Sequence, residues 1–361
     1  MPVQTRVIHY YVCLGAAGGK EWKVFMNIVL ILACIAVFYN IDLLSYNSEY
    51  LSVQQTKNLK GIFTLIVLFH HLAIFAGVGD IYTIFINSGY IAVGGFLFIS
   101  GYGLMYQYMH KGRNYVKSFP KRRILTILIP SVVMAIAYFV LKQYRYGYTL
   151  STLIYDFKRG ASVISNGWYI NAIIYFYITF FICMVLCELI KKRRLMIIFT
   201  FIATYLYIFL CMKFKFEDHW LSAAFAFYFG IVWAMFKSQI DSNLKKSIPI
   251  IIGCLFVFYY VLNVFTPFKY GWMEFKCLMY LAIIVIIGMR IKLQSPLMEW
   301  VGDHSLEIYL VHGLFFEILR NNHINIVDNF EFMVTLLIFT FISSYVLHKI
   351  FTFINKKIIN S

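Results

Sequence analysis

The sequence predicts an all-α protein, a polytopic transmembrane helical bundle with about 10–11 membrane-spanning helices. Three observations lead to this fold class. Of the 361 residues, 61% are hydrophobic and only 13% are charged, whereas about a quarter of the residues in a soluble globular protein are charged. Apolar segments long enough to cross a bilayer recur along the whole chain. Basic residues collect in alternate connecting loops, as they do in the cytoplasmic loops of membrane proteins.

Eleven apolar segments are candidate membrane spans. They cover residues 24–41, 60–78, 87–108, 123–142, 168–189, 195–212, 220–236, 247–265, 275–290, 303–320 and 331–354. No long hydrophilic insert or low-complexity tract separates them. We therefore predict one transmembrane domain over 57–361, preceded by an N-terminal extension over 1–56 that holds one extra candidate span.

The charges of the loops predict the orientation of the chain in the membrane. Segment 109–123 carries six basic residues and no acidic residue, which places this loop in the cytoplasm. Alternation from this loop puts the basic cluster at 191–194 and the tail with Lys356 and Lys357 on the same side. It also places Lys60 at the cytoplasmic surface and, if residues 24–41 cross the membrane, the N-terminus outside. Arg6, Lys20 and Lys23 conflict with an outside N-terminus, so the alternative is that this first span does not fully cross.

The sequence predicts neither nucleic acid nor metal as a partner. The formal charge is +16, but no basic segment is combined with a recognisable nucleic-acid-binding motif. The seven cysteines include no Cys-x-x-Cys pair, and most lie in apolar segments, where cysteine behaves as a small hydrophobic residue. We predict no disulfide framework, no metal site and no permanently bound cofactor.

One apolar segment carries ionisable side chains. Lys60 opens it, and His70 and His71 follow within it. On a helix, Lys60 and His71 differ by roughly 20° around the axis and lie about 16 Å apart along it, whereas His70 points roughly 80° away. Ionisable groups inside a bilayer are costly, so we interpret the shared face as a polar path towards a functional histidine.

Several short motifs occur along the chain. They are the pair Lys60 and His71, Gly89-Tyr-Ile-Ala-Val-Gly-Gly-Phe-Leu-Phe-Ile-Ser-Gly-Tyr102, Phe119-Pro-Lys-Arg-Arg-Ile-Leu-Thr-Ile-Leu-Ile-Pro130, Asn166-Gly-Trp-Tyr-Ile and Ser305-Leu-Glu-Ile-Tyr-Leu-Val-His312. Together they resemble the type-three family of integral-membrane acyltransferases, which O-acylate surface polysaccharides. The resemblance spans about residues 57–350. Lys60 replaces the arginine that is commoner in the family, and Thr126 stands in place of a second loop arginine.

The resemblance implies catalytic and donor-binding residues. Acyl transfer from a thioester to a hydroxyl needs a base and an environment that stabilises the oxyanion. His71 is expected to be the base or a transient acyl carrier, with His70 beside it. Lys60, Arg122 and Arg123 are expected to bind the phosphates of the donor substrate, acetyl-CoA or another acyl-CoA. The alternatives are interhelical packing for the histidines, and membrane topology or lipid binding for the arginines.

A second group of residues is expected to support the reaction or to bind the acceptor. Ser305 and His312 lie roughly 20° apart around a helix, and Glu307 is a carboxylate in the same apolar segment that needs a partner there. Trp168 belongs to an aromatic group, and aromatic faces bind sugars. The alternatives are a structural polar cluster for the first three residues and an interfacial aromatic belt for Trp168.

The function implied by the resemblance is that of an O-acetyltransferase of the bacterial cytoplasmic membrane. Its acceptor would be a sugar hydroxyl of a capsular polysaccharide or exopolysaccharide, a cell-wall glycan or a lipid-linked glycan. Membrane lipid, the glycan and the polysaccharide-assembly machinery are the expected partners. The alternative is a transporter, flippase or polymerase of the same assembly route. A transporter is expected to show inverted repeats, and a polymerase long basic outward loops; the sequence shows no convincing repeat, and its longest outward loop is near 143–166.

Overall fold

The structure is a computed structural model that describes residues 20–75, 82–245, 247–266, 269–320 and 324–360. The described part of the chain is predominantly helical, which confirms the predicted all-α class. Residues 1–19 of the predicted extension and residues 76–78 of a predicted span lie outside the described residues.

The described helices are numbered in chain order. They are α1 (Lys20–Phe38), α2 (Val53–Phe75), α3 (Gly89–Lys111), α4 (Arg113–Phe119), α5 (Leu125–Tyr146), α6 (Leu150–Lys158), α7 (Trp168–Ile190), α8 (Met196–Lys213), α9 (Asp218–Leu221), α10 (Ala224–Leu244), α11 (Ile248–Phe265), α12 (Trp272–Gly288), α13 (Pro296–Asp303), α14 (Ser305–Leu319) and α15 (Asn329–Asn360). The remaining described elements are strands β1 (Ile41–Leu43) and β2 (Ile291–Leu293), 3-10 turns at Tyr82–Phe85 and Arg193–Leu195, and a π-helical turn at Pro120–Ile124.

Each of the eleven predicted spans falls on a helix. Within the described residues, seven helical segments are long and apolar enough to cross a membrane. They are Gly89–Lys111, Arg113–Tyr146, Trp168–Ile190, Arg193–Lys213, Asp218–Leu244, Ile248–Phe265 and Asn329–Ile358. The other four predicted spans fall on α1, α2, α12 and α14, which are not among these seven segments. That these four helices also cross the membrane stays a prediction.

The segment predicted as a loop at 109–123 is largely helical in the structure. α3 continues to Lys111, α4 follows, and the chain then enters the π-helical turn. Gly112 separates α3 from α4 with φ = 51°, a left-handed conformation that glycine adopts without steric cost. The basic side chains of this segment therefore stand on helical turns.

The chain forms two compact units. The first unit is Met1–Val93 with Arg290–Val346, and the second is Gly94–Met289 with Leu347–Ser361. The predicted boundary between residues 1–56 and 57–361 is a division along the sequence and differs from these two packing units. It stays a prediction.

The core of the first unit lies where α2, α14 and α15 meet. Its buried side chains are Leu68, Phe69, Leu72, Ala73, Phe316, Leu319, Phe332, Met333 and Leu336. A smaller cluster of Met298, Val301 and Ile308 joins α13 to α14. α1 packs against both clusters through Ala33 and Ala36, so part of the predicted N-terminal extension helps to hold α2 in place.

A two-stranded antiparallel ribbon links the N-terminal part of the first unit to its C-terminal part. β1 pairs with β2, and Asp42 stands opposite Lys292. Gln55 anchors this ribbon to α2, because its amide donates to the carbonyl oxygen of Leu293 (2.8 Å) and accepts from the Leu293 backbone N–H (2.9 Å). The sequence did not predict this ribbon, since each strand has only three residues.

The second unit is built around a close crossing of α3 and α10. A Cβ atom at Gly101 would lie 2.1 Å from the Phe227 carbonyl oxygen, and a Cβ at Gly230 would lie 2.2 Å from that of Phe98. The two backbones approach this closely because neither position carries a side chain. Phe176 of α7 stacks on Phe227 with ring centroids 4.9 Å apart and joins α7 to this crossing.

Candidate active site

Lys60, His70 and His71 lie on one continuous helix of the first unit. α2 begins after Ser52, whose Oγ accepts a hydrogen bond from the Gln55 backbone N–H (3.3 Å) in the manner of an N-cap. Lys60 is half-buried, whereas His71 is only 9% exposed and lies eleven residues further along the helix. The helix therefore carries a basic side chain in its N-terminal half and a buried imidazole in its C-terminal half.

Two glycines fix how α2 crosses α13 near Lys60. A Cβ atom at Gly61 would lie 2.2 Å from the Met298 carbonyl oxygen, and one at Gly302 would lie 2.0 Å from the Lys57 carbonyl oxygen. Real Cβ atoms do not approach backbone so closely, so both positions require glycine. The crossing places α13 directly against the turn that precedes Lys60.

Polar contacts reinforce the same crossing. The Lys57 ammonium forms an ion pair with Asp303, with Nζ 2.9 Å from Oδ2. Glu299 Oε1 accepts hydrogen bonds from the side-chain amides of Gln54 (2.9 Å) and Asn58 (3.3 Å). Lys57 thus has its acidic partner on α13.

The structure brings His71 of α2 against His312 of α14. Their ring centroids are 5.1 Å apart and the ring planes are inclined by 30°. Both rings border Phe316, at 6.4 Å from His71 and 6.2 Å from His312, and Tyr309 lies 5.6 Å from His312. Two imidazoles from helices far apart in sequence therefore share one aromatic, largely water-excluded environment.

A backbone hydrogen bond defines the protonation of one nitrogen of His312. Its Nδ1 lies 3.0 Å from the carbonyl oxygen of Ile308, four residues earlier in α14. A carbonyl oxygen only accepts, so Nδ1 must carry the hydrogen. In the neutral ring, Nε2 then has its lone pair available as an acceptor.

The ring of His70 contacts a different part of the chain. Its Nδ1 donates to the carbonyl oxygen of Phe85 (2.9 Å), and a Cβ atom at Gly89 would lie 2.5 Å from its Cδ2. The ring thus packs against the chain that leads into α3, while its centroid is 4.9 Å from that of His71. A role of His70 in orienting His71 and its catalytic assignment both stay predictions.

Ser305 and Glu307 lie on α14 with His312, as the sequence predicts. Ser305 is the first residue of the helix, which puts it about 10 Å from His312 along the axis. Glu307 is 5% exposed and lies in the first helical turn, where a negative charge interacts favourably with the helix dipole. Their roles in acyl transfer stay predictions.

Arg122 and Arg123 stand in the π-helical turn of the second unit. Arg122 is exposed, whereas Arg123 is half-buried beside the buried Tyr115. Neither guanidinium forms an ion pair with a described residue, in contrast to Arg193, whose Nε is 3.0 Å from Glu188. Such π-helical turns occur frequently at functional sites. This one presents two positive charges without an acidic protein partner in the described chain.

Trp168 begins α7 and belongs to an aromatic cluster of the second unit. Its ring lies 5.4 Å from that of His219 and 6.4 Å from that of Trp220. A carboxylate oxygen of Glu217 lies 3.3 Å from Nδ1 of His219. The cluster combines aromatic faces with a hydrogen-bonding carboxylate, a combination suited to a sugar.

Comparison with known proteins places the chain in a family. A family model of an acyltransferase domain matches residues 53–349. The chain belongs to this acyltransferase family. None of the curated proteins and none of the solved structures matches the chain.

The family match confirms the resemblance inferred from the sequence and gives no support to the transporter, flippase or polymerase alternative. Because seven described helices are suited to cross a bilayer, the protein is a membrane acyltransferase. All predicted site residues lie within the matched region, whereas α1 and β1 precede it.

The sequence did not predict some of the residues around the site of this acyltransferase. Phe316 was missed although it follows His312 by four residues, a spacing that places both on one helix face. Asp303 and Glu299 were missed because they belong to a short helix whose partners lie more than 240 residues earlier. Gly61, directly after Lys60, was the available signal for a close helix approach.

Proposed function

We propose that this acyltransferase moves an acetyl group from acetyl-CoA, or another acyl group from its CoA thioester, to a sugar hydroxyl. The acceptor would be a capsular polysaccharide or exopolysaccharide, a cell-wall glycan or a lipid-linked glycan, and the enzyme would work in the bacterial cytoplasmic membrane. The observation that carries the proposal is the buried His71–His312 pair in a chain of an acyltransferase family.

His71 is the proposed centre of the chemistry. An uncharged imidazole in an apolar setting accepts a proton from a hydroxyl or attacks a thioester carbon. Interhelical packing alone would not require two adjacent imidazoles, since Phe316 already fills the neighbouring volume with an apolar ring. The pair therefore favours chemistry over packing.

Lys60, Arg122 and Arg123 are the proposed donor-binding residues. Coenzyme A carries a pyrophosphate and a ribose phosphate, and arginine binds phosphate through two parallel hydrogen bonds. The arginines of the π-helical turn lack an acidic partner among the described residues, which leaves their charge available to an anionic ligand. Basic loops of membrane proteins lie mainly in the cytoplasm, where acyl-CoA is found.

The proposed acceptor region includes Trp168. Its cluster offers aromatic faces for the C–H surface of a sugar ring and a carboxylate, Glu217, for its hydroxyls. Contact with membrane lipid and with the polysaccharide-assembly machinery belongs to the same proposal, because a lipid-linked or nascent glycan is presented at the membrane.

The test is the O-acetyl content of surface glycans, measured by proton NMR in a deletion strain complemented with single variants. The wild-type protein should restore the O-acetyl signals, and His71→Asn at the same membrane abundance should not. His110→Asn serves as the control, because His110 is exposed at the end of α3 and has no assigned role. Unchanged O-acetyl content after deletion, combined with lost polymer export, would contradict the proposal.

A further inference from the structure

We propose that Nε2 of His312 is the base that takes the proton of the acceptor hydroxyl, and that His71 is the acyl carrier. This inference rests on the proposed function and divides its chemistry between the two imidazoles. It follows from the tautomer of His312, from the surroundings of its second nitrogen and from the distance to His71.

The tautomer gives His312 the properties of a base. Nδ1 is committed as a donor to the Ile308 carbonyl oxygen at 3.0 Å, which also fixes the orientation of the ring. Nε2 of the neutral ring is therefore a lone-pair acceptor, as a general base requires. A histidine whose ring is held by its own backbone needs no neighbouring carboxylate to set its tautomer.

The surroundings of Nε2 indicate that a ligand completes them. His312 is 1% exposed, and Nε2 meets no hydrogen-bond partner in the described part of the chain. A buried polar atom without a partner is unfavourable, and such atoms are uncommon in native proteins. A substrate hydroxyl would donate its hydrogen to this nitrogen and satisfy it.

His304, another buried histidine of the first unit, serves as a comparison for His312. Its Nδ1 makes the same kind of bond, to the Trp300 carbonyl oxygen four residues earlier (2.8 Å), and it is 6% exposed. Its ring stacks on Trp300 at 4.2 Å and on Tyr345 at 6.1 Å. His312 differs in its contact with His71, which is the residue placed at the chemistry.

The reaction balances in two steps. In the first, the unprotonated nitrogen of His71 attacks the thioester carbonyl carbon, a C–N bond forms and the C–S bond breaks. The remaining ring proton of the acyl-imidazolium neutralises the departing thiolate to give the thiol. In the second, the hydroxyl oxygen attacks the acyl carbon, its proton passes to Nε2 of His312 and the C–N bond breaks. His312 then returns that proton to the ring of His71, and both histidines are neutral again.

The contact distance suits this transfer. With ring centroids 5.1 Å apart, the two imidazoles are within reach of one acyl group and the hydroxyl that attacks it. Phe316 and Tyr309 border the pair and limit the access of water, which would otherwise hydrolyse an acyl-imidazole.

The test uses the full-length protein in proteoliposomes that contain glycan lipids extracted from the deletion strain. Radiolabelled acetyl-CoA is added, and label is measured both on the glycan and, after rapid denaturation, on the protein. His312→Asn is the informative variant, because the asparagine amide can keep the bond to Ile308 while Nε2 is lost. His304→Asn is the matched control.

We expect His312→Asn to lower acetyl transfer to glycan about 100-fold or more, the usual effect of losing a general base. It should accumulate hydroxylamine-labile acetyl on the protein, whereas His71→Asn should show none and His304→Asn should behave as the wild type does. Near wild-type transfer by His312→Asn, or transfer lost without accumulated label, would overturn the inference. A wild-type protein that transfers no acetyl to any glycan would instead overturn the proposed function.

Discussion

Arg122 and Arg123 are neighbours in one π-helical turn, yet their side chains have different surroundings. Arg122 is exposed, whereas Arg123 lies half-buried next to Tyr115, with its Nε shielded from solvent. Thr126 Oγ1 donates to the Arg123 carbonyl oxygen (2.9 Å) and steadies the backbone of the turn. Arg123 is therefore the better positioned of the two to hold a phosphate in a fixed geometry.

Arg123→Gln should raise the KM for acetyl-CoA about tenfold. A hydrogen bond to a charged group contributes about 1.5–3 kcal/mol, and about 1.4 kcal/mol corresponds to a factor of ten in affinity. The kcat should change less, because the phosphates are held equally in the ground and transition states. Initial rates in proteoliposomes measure both constants. Lys192→Gln, in another basic segment, is the control. An unchanged KM in both Arg122→Gln and Arg123→Gln would show that the two arginines only help to orient the protein in the membrane.

The crossing of α2 and α13 decides where Lys60 is placed. Gly61 and Gly302 let the two backbones touch, and the ion pair between Lys57 and Asp303 lies at the same crossing. An exposed ion pair contributes little by itself, so backbone proximity is the stronger constraint.

Gly61→Ala and Gly302→Ala should each destabilise the protein by about 1–3 kcal/mol, the usual cost of overpacking a close contact. Thermal unfolding in detergent measures the effect as a lower Tm. Gly103→Ala is the matched control, because a Cβ atom there meets nothing within 4 Å, and its Tm should stay the same or rise. Equal Tm values for all three variants would show that the α2–α13 crossing is loose.

The elements differ in how far the sequence predicts them. The eleven helices at the predicted spans follow from long apolar runs, a signal that needs no knowledge of tertiary contacts. The π-helical turn at Pro120–Ile124 was not predicted, because it depends on how Phe119 packs against Phe180 and Phe181 of α7. The β1–β2 ribbon was not predicted because its strands are about 250 residues apart and too short to show a period.

The candidate site was predictable in its parts but not in its assembly. Helical spacing related Lys60 to His71 and Ser305 to His312, since each pair lies within one helix. The contact between His71 and His312 joins two helices about 240 residues apart, and a single sequence does not encode that distance in any local pattern. Helical spacing relates Phe316 to His312, but its contact with His71 follows only once the contact between the two helices is known.

The orientation of the whole chain in the membrane decides whether the donor can reach the site. Loop charge predicts that segment 109–123, the cluster at 191–194 and the end of α2 with Lys60 face the cytoplasm. The seven apolar helices agree with a multi-pass protein, and the direction of insertion stays a prediction. Only this orientation would give cytoplasmic acyl-CoA, the proposed donor, access to the basic residues.

Cysteine labelling of intact cells tests this orientation. Ser151→Cys, in the 143–166 connection, should react with a membrane-impermeant maleimide added outside. Lys192→Cys should react only after the cells are permeabilised, because both side chains are exposed and the predicted orientation puts them on opposite sides of the membrane. The wild-type protein with its seven native cysteines sets the background. The reverse labelling pattern would show that the chain has the opposite orientation, with Lys60 on the side of the membrane away from the cytoplasmic donor.

The most direct test of the proposed role of His71 is the rate of acetyl transfer by His71→Asn in proteoliposomes supplied with acetyl-CoA and extracted glycan lipid. Wild-type protein and His110→Asn are measured beside it, at equal protein and with Tm values compared. We expect His71→Asn to lower the rate about 100-fold or more while its Tm stays near that of the wild type. A rate within about twofold of the wild type, in a folded His71→Asn protein, would contradict a chemical role for His71.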